Sequence, residues 1–280
     1  MTQFEFFLTL APLLAATVII VAGYAWFQAH SPLSRTLTVY LVMVAGFLIA
    51  GILELVSISE EMVDLWVRIQ YLFMPFIPVL WLRMALLYTG QIQWAALRRL
   101  WIFFLLPTVT SLLAWSNTQH RMVWVEHHWQ PVGQWGYFSI EKYGPWFWAN
   151  GIYFYCLLIY GALLMVLEVQ RSPRIFRQQS YSMIAGALLP LTMNLVYIFD
   201  LFPSLVIDFT PLAFAFSGLA FVLSMLRHRL LSLSPVGRAA LIESMLDPML
   251  VLDDAQRVVD LNPAAQRFLG IALEDSLGRP

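Results

Sequence analysis

The sequence predicts an all-α membrane protein, a seven-transmembrane helix bundle that carries one β-hairpin lid outside the membrane. Hydrophobic residues make up 60% of the 280-residue chain and charged residues only 12%, a balance typical of polytopic membrane proteins. The apolar residues are gathered into runs long enough to cross a bilayer. A stretch of ordinary soluble composition follows the last run, so the chain is predicted to leave the membrane before its end.

Seven apolar runs are present, each of about 20 residues, which is the length that spans a bilayer. They cover approximately residues 4–26, 37–58, 66–88, 97–115, 146–168, 181–201 and 207–226. The chain begins MTQFEFF, which contains Glu5 but no Lys or Arg, and no small-residue cleavage site follows. We therefore expect the first run to be a retained helix and not a cleaved signal peptide.

Arginines lie in alternate connections, and this predicts the orientation of the bundle. The loops after helices one, three and five and the tail after helix seven contain Arg35, Arg98, Arg99, Arg171, Arg174, Arg177, Arg227 and Arg229. The opposite loops are acidic, with Glu60, Glu61 and Asp64 in one and Asp200 in another. Because short cytoplasmic loops collect Lys and Arg, the N-terminus is expected outside and the C-terminus in the cytoplasm.

Only one connection is long, and it is predicted to be the hairpin. In residues 116–144 the aromatic side chains recur at roughly alternate positions on either side of a turn at Gln130-Pro131-Val132-Gly133, which favours two short strands. We expect the hairpin to act as a lid in which Trp124, Trp129 and Trp135 cover a ligand. The alternative is an amphipathic hairpin that rests on lipid headgroups.

Four polar residues near the outer ends of the predicted helices indicate a pocket open to the outside. They are Glu54, Asn150, Asn194 and Asp208, and Asn194 follows Pro190 by one turn, where proline frees a backbone carbonyl. A charged side chain inside the bilayer is energetically costly and usually serves a function, and ligand binding is one such function. For Asn194 a bond between helices is an equal alternative. Arg83, near the inner end of helix three, is expected to extend to the headgroups.

Other functional classes lack support in the sequence. The net charge is −1 and the 16 basic residues are scattered, so nucleic acid is not an expected partner. The only lysine, Lys142, lies outside the spans. A retinal protein needs a lysine within a span to form its Schiff base, so this class is not supported. No metal site, cofactor or catalytic residue is predicted, because adjacent His127 and His128 point to opposite faces of a strand and no HExxH, GxSxG or phosphate-binding loop occurs.

After helix seven the sequence no longer forms long apolar runs and predicts short helices and strands. Ser234 and Pro235 predict the start of a short helix, and MLVLDDAQRVVDL predicts two strands around a turn at residues 253–256. Asn262 and Pro263 then predict a helix that ends at Gly270. The string LDPMLVLDDAQRVVDLNPAAQRFLG resembles the opening of a PAS domain. The 44 residues after Val236 are too few for a PAS core, so we expect an incomplete domain and a truncated chain.

The upstream strings resemble the seven-transmembrane N-terminal region of bacterial sensor histidine kinases. They are PVLWLRMALLYTG, NTQHRMVW, YGPWFWANGIYFY, GALLPLTMNLVYIF and IDFTPLAFAFSGL, in that order. The resemblance implies a membrane sensory input module in the bacterial inner membrane. It would perceive an extracytoplasmic or intramembrane signal and relay it through helix seven to a PAS domain and an output domain. A histidine kinase that phosphorylates a response regulator is the first expectation for the output, and a diguanylate cyclase is the second.

This interpretation divides the chain into a bundle over residues 1–229, a linker or signalling helix over 230–246 and an incomplete PAS domain over 247–280. Arg229, Pro235, Leu241 and Met245 are the expected relay residues, and the last two are spaced to face a partner copy, so a homodimer in the lipid bilayer is expected. The alternative function is a small-molecule carrier or a membrane enzyme of unknown chemistry.

Overall fold

The computed structural model describes residues 2–27, 31–132, 135–171, 174–227, 242, 244–252, 256–271 and 276. The chain divides into two compact units, Met1–Ser232 and Leu233–Pro280, and each is described by itself. The first unit is a helical bundle with a β-hairpin. The second contains a small two-stranded sheet and one short helix.

The helices of the first unit follow the order of the predicted apolar runs. They are α1 (Gln3–Phe27), α2 (Pro32–Leu55), α3 (Glu60–Gln70), a 3-10 turn (Met74–Phe76), α4 (Ile77–Tyr88), α5 (Ile92–Ala95), α6 (Leu97–Trp115), α7 (Asn117–His120), α8 (Pro145–Arg171), α9 (Arg174–Ile198) and α10 (Thr210–Arg227). The acidic first turn of α3 and the Ser31 and Ser59 N-caps agree with ordinary helix-start chemistry.

Five segments of the described residues are long and apolar enough to cross a membrane. They are Gln3–Phe27, Pro32–Leu55, Glu60–Tyr88, Pro145–Glu168 and Tyr181–Ile198. Two shorter apolar helices, Arg99–Trp115 and Thr210–Ser224, correspond to the fourth and seventh predicted runs. The chain therefore contains a multi-pass helical membrane region, and the count of seven crossings stays a prediction.

The third predicted span is bent where a single helix was expected. Pro75 has no N–H to donate to the carbonyl of Tyr71, the bond that would continue the helix. The Ser111 hydroxyl of α6 donates to that carbonyl instead, at 2.7 Å. A side chain of a neighbouring helix thus replaces the missing backbone bond, as an apolar environment requires, and the chain bends between α3 and α4.

An aromatic pair joins several helices in the half of the bundle away from the hairpin. Trp81 of α4 stacks on Phe221 of α10 with ring centroids 5.1 Å apart, and both side chains are buried. Gly161 of α8 lies directly against the Trp81 ring, and Gly186 of α9 lies against Phe221. Small residues let membrane helices approach this closely. Trp81 Nε1 also donates to the Leu158 carbonyl at 3.2 Å.

Arg83 makes hydrogen bonds within the bundle, whereas the sequence suggested that it extends to the headgroups. Its Nη1 donates to the Thr36 hydroxyl at 2.7 Å and its Nε donates to the Ala95 carbonyl at 3.2 Å. The guanidinium of this α4 residue therefore joins α2 to α5. A five-donor group can satisfy several acceptors at once, which explains why a partly buried arginine is tolerated here.

The predicted hairpin is present as an antiparallel pair, β1 (Trp124–Val132) and β2 (Trp135–Tyr143). Its turn lies later than expected, because Val132 pairs with Trp135 and Pro131 pairs with Gly136. Proline is tolerated in such an edge strand, so residues 130–132 extend β1 where a turn was expected. At the base, Asn117 Oδ1 accepts from the Val123 N–H at 2.9 Å and Asn117 Nδ2 donates to the Trp124 carbonyl at 2.8 Å.

The second unit has the strand, strand, helix order that the sequence predicted, and the predicted turn at residues 253–256 lies mostly outside the described residues. Strand β3 (Leu250–Leu252) pairs antiparallel with β4 (Val258–Leu261), and α11 (Pro263–Leu269) follows. Asn262 caps α11 by accepting from the Ala265 N–H at 2.8 Å, and it also accepts from the Met249 N–H at 2.9 Å. Gly270 ends the helix with a φ of 67°. One asparagine therefore ties the helix to the start of the sheet.

We expect Gly161→Ala to lower the stability of the bundle. The added Cβ would lie 3.0 Å from Trp81 Cδ1 and 3.1 Å from Cε2, and a buried indole that stacks on Phe221 has little room to move. Overpacking of this kind costs about 1–3 kcal/mol. The measurement is thermal unfolding in detergent.

Gly23→Ala is the matched control, because nothing lies within 4 Å of its Cβ position. An alanine in a helix is favoured over glycine by about 0.5–1 kcal/mol. Equal melting temperatures for the two variants would contradict the close contact between α8 and Trp81.

Candidate functional site

A cavity of about 140 Å³ lies at the hairpin end of the bundle. Five elements contribute most of its wall: α2, α3, β2, α8 and α9, together with the start of α10. Ile140 and Tyr143 bring β2 to the cavity. The bend after α3 contributes to this arrangement, because α3 and the turn that follows it line the cavity through Val67, Gln70, Tyr71 and Met74.

All four polar residues that the sequence analysis selected line this one cavity: Glu54, Asn150, Asn194 and Asp208. Glu54, in the last turn of α2, accepts a hydrogen bond from Gln70 Nε2 of α3 at 2.6 Å. The carboxylate is therefore held in position by a neutral amide. The structure brings the four residues together, and their role in ligand binding stays a prediction.

The two asparagines are held by hydroxyl groups. Asn150 is buried, and its Oδ1 lies 3.0 Å from the Thr110 hydroxyl of α6, which accepts from Trp146 Nε1 at 3.0 Å. Asn194 Oδ1 accepts from the Tyr155 hydroxyl of α8 at 2.6 Å. Helix α9 continues through Pro190 to Ile198. The interhelical bond that was the alternative for Asn194 is thus present, and it lies on the cavity wall.

Asp208 precedes the first residue of α10. Its Oδ1 accepts from the Thr210 N–H at 2.8 Å, an arrangement that aspartate commonly makes two residues before a free N–H. Burial raises the pKa of Asp208, and the bond from Thr210 only partly opposes this rise. The carboxyl group is therefore easier to protonate than an exposed aspartate.

Aromatic side chains form much of the remaining wall, and the sequence analysis did not select them. They are Phe7, Phe47, Tyr71, Tyr143, Phe147, Phe154, Tyr155 and Tyr197. Tyr143 of β2 stacks on Phe147 of α8 with ring centroids 3.8 Å apart. Aromatic residues are so frequent in this chain that composition does not separate cavity walls from lipid contacts. The position of Phe154 four residues after Asn150 on α8 was the one available signal.

The structure describes the side chain of one of the three hairpin tryptophans that were predicted to contact a ligand. Trp124 is 1% exposed and packs with Tyr71, Val63, Val67 and Ala114, and it is not among the residues that line the cavity. The structure therefore shows Trp124 in packing contacts, and its predicted contact with a ligand stays a prediction. The side chains of Trp129 and Trp135 lie outside the described part of the chain, so their predicted contacts with a ligand stay predictions.

The predicted relay residues are mostly beyond what the structure describes. Arg229, Pro235 and Leu241 lie outside the described residues. Met245 belongs to the second unit and is 41% exposed. Their roles in signal relay stay predictions.

Among the described residues, no group of three His, Cys, Asp or Glu side chains is arranged to hold a metal ion. His127 of β1 lies edge-on to Trp124 at 6.3 Å. Burial lowers the pKa of His127, which favours the neutral imidazole near pH 7.

We expect the stability of the bundle to fall as the pH rises from about 4, the ordinary aspartate pKa, through the raised pKa of Asp208. A carboxyl group whose pKa is raised on folding favours the folded state below its unfolded pKa, and that contribution is lost once the folded protein must ionise it. Asp208→Asn should remove this part of the pH dependence. The measurement is the melting temperature across a pH series.

Asp200→Asn is the control, because Asp200 is exposed in the loop after α9 and has a φ of 46°, which asparagine also adopts. The same flattening in both variants would contradict a specific effect of Asp208.

Two families of known proteins match the chain. The N-terminal 7TM region of histidine kinase matches residues 11–235, and the PAS domain matches residues 239–280. No protein with a curated description shows significant similarity to the chain. The first match covers well over half of the sequence and includes every residue of the cavity wall except Phe7. The chain therefore belongs to the family of N-terminal seven-transmembrane regions of histidine kinases, and it is a membrane sensory input module followed by PAS sequence.

Proposed function

We propose that the cavity is the place where this input module perceives a small-molecule signal from outside the cytoplasmic membrane or from within the bilayer. The observation that carries the proposal is the convergence of Glu54, Asn150, Asn194 and Asp208 on one cavity. Polar side chains in a membrane protein are expensive unless they serve a function. Four polar side chains that come from α2, α8, α9 and the segment before α10 and line one cavity are typical of a binding site.

The hairpin is proposed to be the lid of this site. Ile140 and Tyr143 of β2 line the cavity, and the stack of Tyr143 on Phe147 joins the hairpin to the beginning of α8. A ligand that fits beneath β2 would therefore contact the lid and the bundle at once. With the arginine distribution described above, this end of the bundle faces away from the cytoplasm of a bacterial cell, and the N-terminus lies on the same side.

Helix α10 is proposed to carry the signal out of the membrane. Thr210 and Pro211, at its start, line the cavity. Further along, the Ser217 hydroxyl lies 3.4 Å from the Tyr40 hydroxyl and Phe221 stacks on Trp81. The same helix thus contacts the ligand site and the core of the bundle. A shift at one end changes packing at the other, since packed helices move between discrete arrangements.

Downstream of α10, the proposed organisation keeps the predicted boundaries: bundle to residue 229, linker over 230–246 and incomplete PAS domain over 247–280. Arg229 and Pro235 would transmit the movement, and Leu241 and Met245 would face a partner copy in a homodimer. The output is proposed to be a histidine kinase domain acting on a response regulator, with a diguanylate cyclase as the second candidate.

Filling the cavity tests the sensory role. Gly151 lines the cavity, and nothing lies within 4 Å of its Cβ position, so Gly151→Phe should place its ring in the ligand space without a clash at Cβ. Because a filled cavity favours one of the two states, we expect the basal output of the complete gene product to change about fivefold or more. Autophosphorylation in membrane vesicles measures it.

Gly23→Phe is the matched control, since the same change is made on α1 where space is also open. An unchanged output in Gly151→Phe, with normal membrane insertion, would contradict a sensory cavity. Equal changes in both variants would show that the effect is not specific to it.

Alanine insertion tests the relay. Each alanine added after Arg229 in the complete gene product rotates a continuous downstream helix by about 100°. We expect the output to alternate between high and low over four successive insertions. A flat response that keeps its sensitivity to the signal would mean that this segment is a flexible tether.

A further inference from the structure

A groove of about 660 Å³ lies on the surface of the bundle between α1 and α2. It shares no lining residue with the cavity. Ile19 of α1 and Val42 and Ile49 of α2 contribute exposed side chains to it, and Phe73 contributes from the bend between α3 and α4. The groove therefore opens toward the lipid that surrounds a membrane region. We call it the α1–α2 groove.

The α1–α2 groove is almost entirely apolar. Among its lining residues, Trp26 and Thr38 alone carry polar side-chain atoms. The Thr38 hydroxyl already donates to the Ser34 carbonyl at 3.1 Å, and a tryptophan near a helix end is typical of the membrane interface. The groove is therefore suited to a hydrocarbon chain and offers little to a polar ligand.

The length of the groove corresponds to one leaflet of a bilayer. Along α2 it extends from Thr38 to Ile49, which at about 1.5 Å per residue is roughly 16 Å. The hydrocarbon core of a bilayer is about 30 Å thick, so one leaflet contributes about 15 Å. Toward the Ile49 end, the ring of Phe73 lies directly against Gly46. The groove therefore matches one acyl chain that extends from the interface to the middle of the membrane.

A positive charge lies at the Thr38 end of the groove. Arg35 is exposed in the first turn of α2, four residues before Val39 and seven before Val42, so these side chains share one face of the helix. Helical side chains lean toward the helix N-terminus, which directs the guanidinium away from the groove and toward the headgroups. Within the described residues this guanidinium has no carboxylate partner.

We propose that the α1–α2 groove binds an anionic phospholipid from the leaflet at the Arg35 end of the bundle. One acyl chain lies between α1 and α2, and the phosphate contacts Arg35. The N-terminal end of α2 carries a partial positive charge, which adds to the attraction. The site is separate from the cavity, and the inference does not depend on the proposed sensory role.

A second copy of the chain is the other molecule that could cover an apolar groove in a membrane. A two-fold interface brings the same α1 and α2 surface of both copies together. The acidic side chains of these helices are Glu5, in the first turn of α1, and Glu54, in the last turn of α2. Both lie at the end opposite to Arg35, so such an interface would leave the arginine without an anion. A phospholipid supplies the anion at the level of Arg35.

The experiment uses the complete 280-residue chain in nanodiscs of phosphatidylcholine with a small fraction of a probe lipid. Two probes are compared, a phosphatidylglycerol and a phosphatidylcholine, each with a photoreactive diazirine at the end of one acyl chain. Peptide mass spectrometry measures crosslinks at Ile49 and Phe73 relative to crosslinks at Ile159, which is exposed in the middle of α8. We expect the anionic probe to label the groove about fivefold more strongly, because one basic residue near the membrane surface attracts anionic lipid by about that factor.

Arg35→Gln removes the charge at an exposed position, so the two probes should then label the groove about equally. Arg99→Gln is the matched control, because Arg99 is also exposed and lies in the first turn of another helix, α6. It should keep the preference for the anionic probe.

Val42→Trp tests the position of the acyl chain. The larger ring should fill the groove and lower the labelling of Ile49 and Phe73 by both probes about fivefold. Val109→Trp is the matched control, since Val109 is exposed on α6 and lines neither the groove nor the cavity. It should leave the labelling unchanged. Melting temperatures in the same discs confirm that each variant is folded.

Three results would overturn the proposal. Equal labelling of the groove by the two probes in the unaltered chain would mean that it holds ordinary boundary lipid. An unchanged preference in Arg35→Gln would mean that Arg35 does not bind the phosphate. Labelling of Ile49 and Phe73 by neither probe, together with a dimeric mass in light scattering, would mean that a second copy covers the groove.

Discussion

The stack of Trp81 on Phe221 is the contact on which the rest of the bundle depends. Two flat rings meet at 5.1 Å, and the glycines of α8 and α9 allow both helices to close onto them. In a bilayer, helices gain little from burying apolar surface, because lipid tails are equally apolar. Close packing supplies the attraction instead. Four helices, α4, α8, α9 and α10, converge on this pair.

The cavity lies at the hairpin end of the bundle. Helix ends and one strand form much of its wall. The four polar residues selected from the sequence each have a partner: Gln70 for Glu54, Thr110 for Asn150, Tyr155 for Asn194, and the Thr210 N–H for Asp208. A side chain held by a neighbour is positioned before a ligand arrives, which lowers the entropy cost of binding. A ligand shifts the equilibrium between two packings of the bundle only if its affinities for the two packings differ. A cavity whose wall is held in place while the start of α10 moves would give such a difference.

The sequence predicted the helical membrane class, the hairpin, the strand order of the second unit and the four polar residues around the cavity. These features follow from local patterns: apolar runs, alternation of aromatic residues, and polar residues in apolar surroundings. The position of the hairpin turn was predicted too early, because Pro131 and Val132 were interpreted as turn residues although they pair with Gly136 and Trp135. The bend after α3 was not predicted, because the apolar run continues through Pro75 without a change in composition. The burial of Trp124 was not predicted either, because it depends on contacts with Tyr71 and Val67, which lie more than fifty residues earlier in the sequence.

The bond between the Ser111 hydroxyl and the Tyr71 carbonyl has a consequence for how this protein can change during evolution. The carbonyl needs an outside donor only because Pro75 supplies none. Replacing Pro75 by a residue with an N–H would make the hydroxyl dispensable, whereas losing Ser111 alone would leave a carbonyl without a donor in an apolar environment. Substitutions at Pro75 and Ser111 are therefore coupled. Ser111 becomes replaceable only after Pro75 has been replaced.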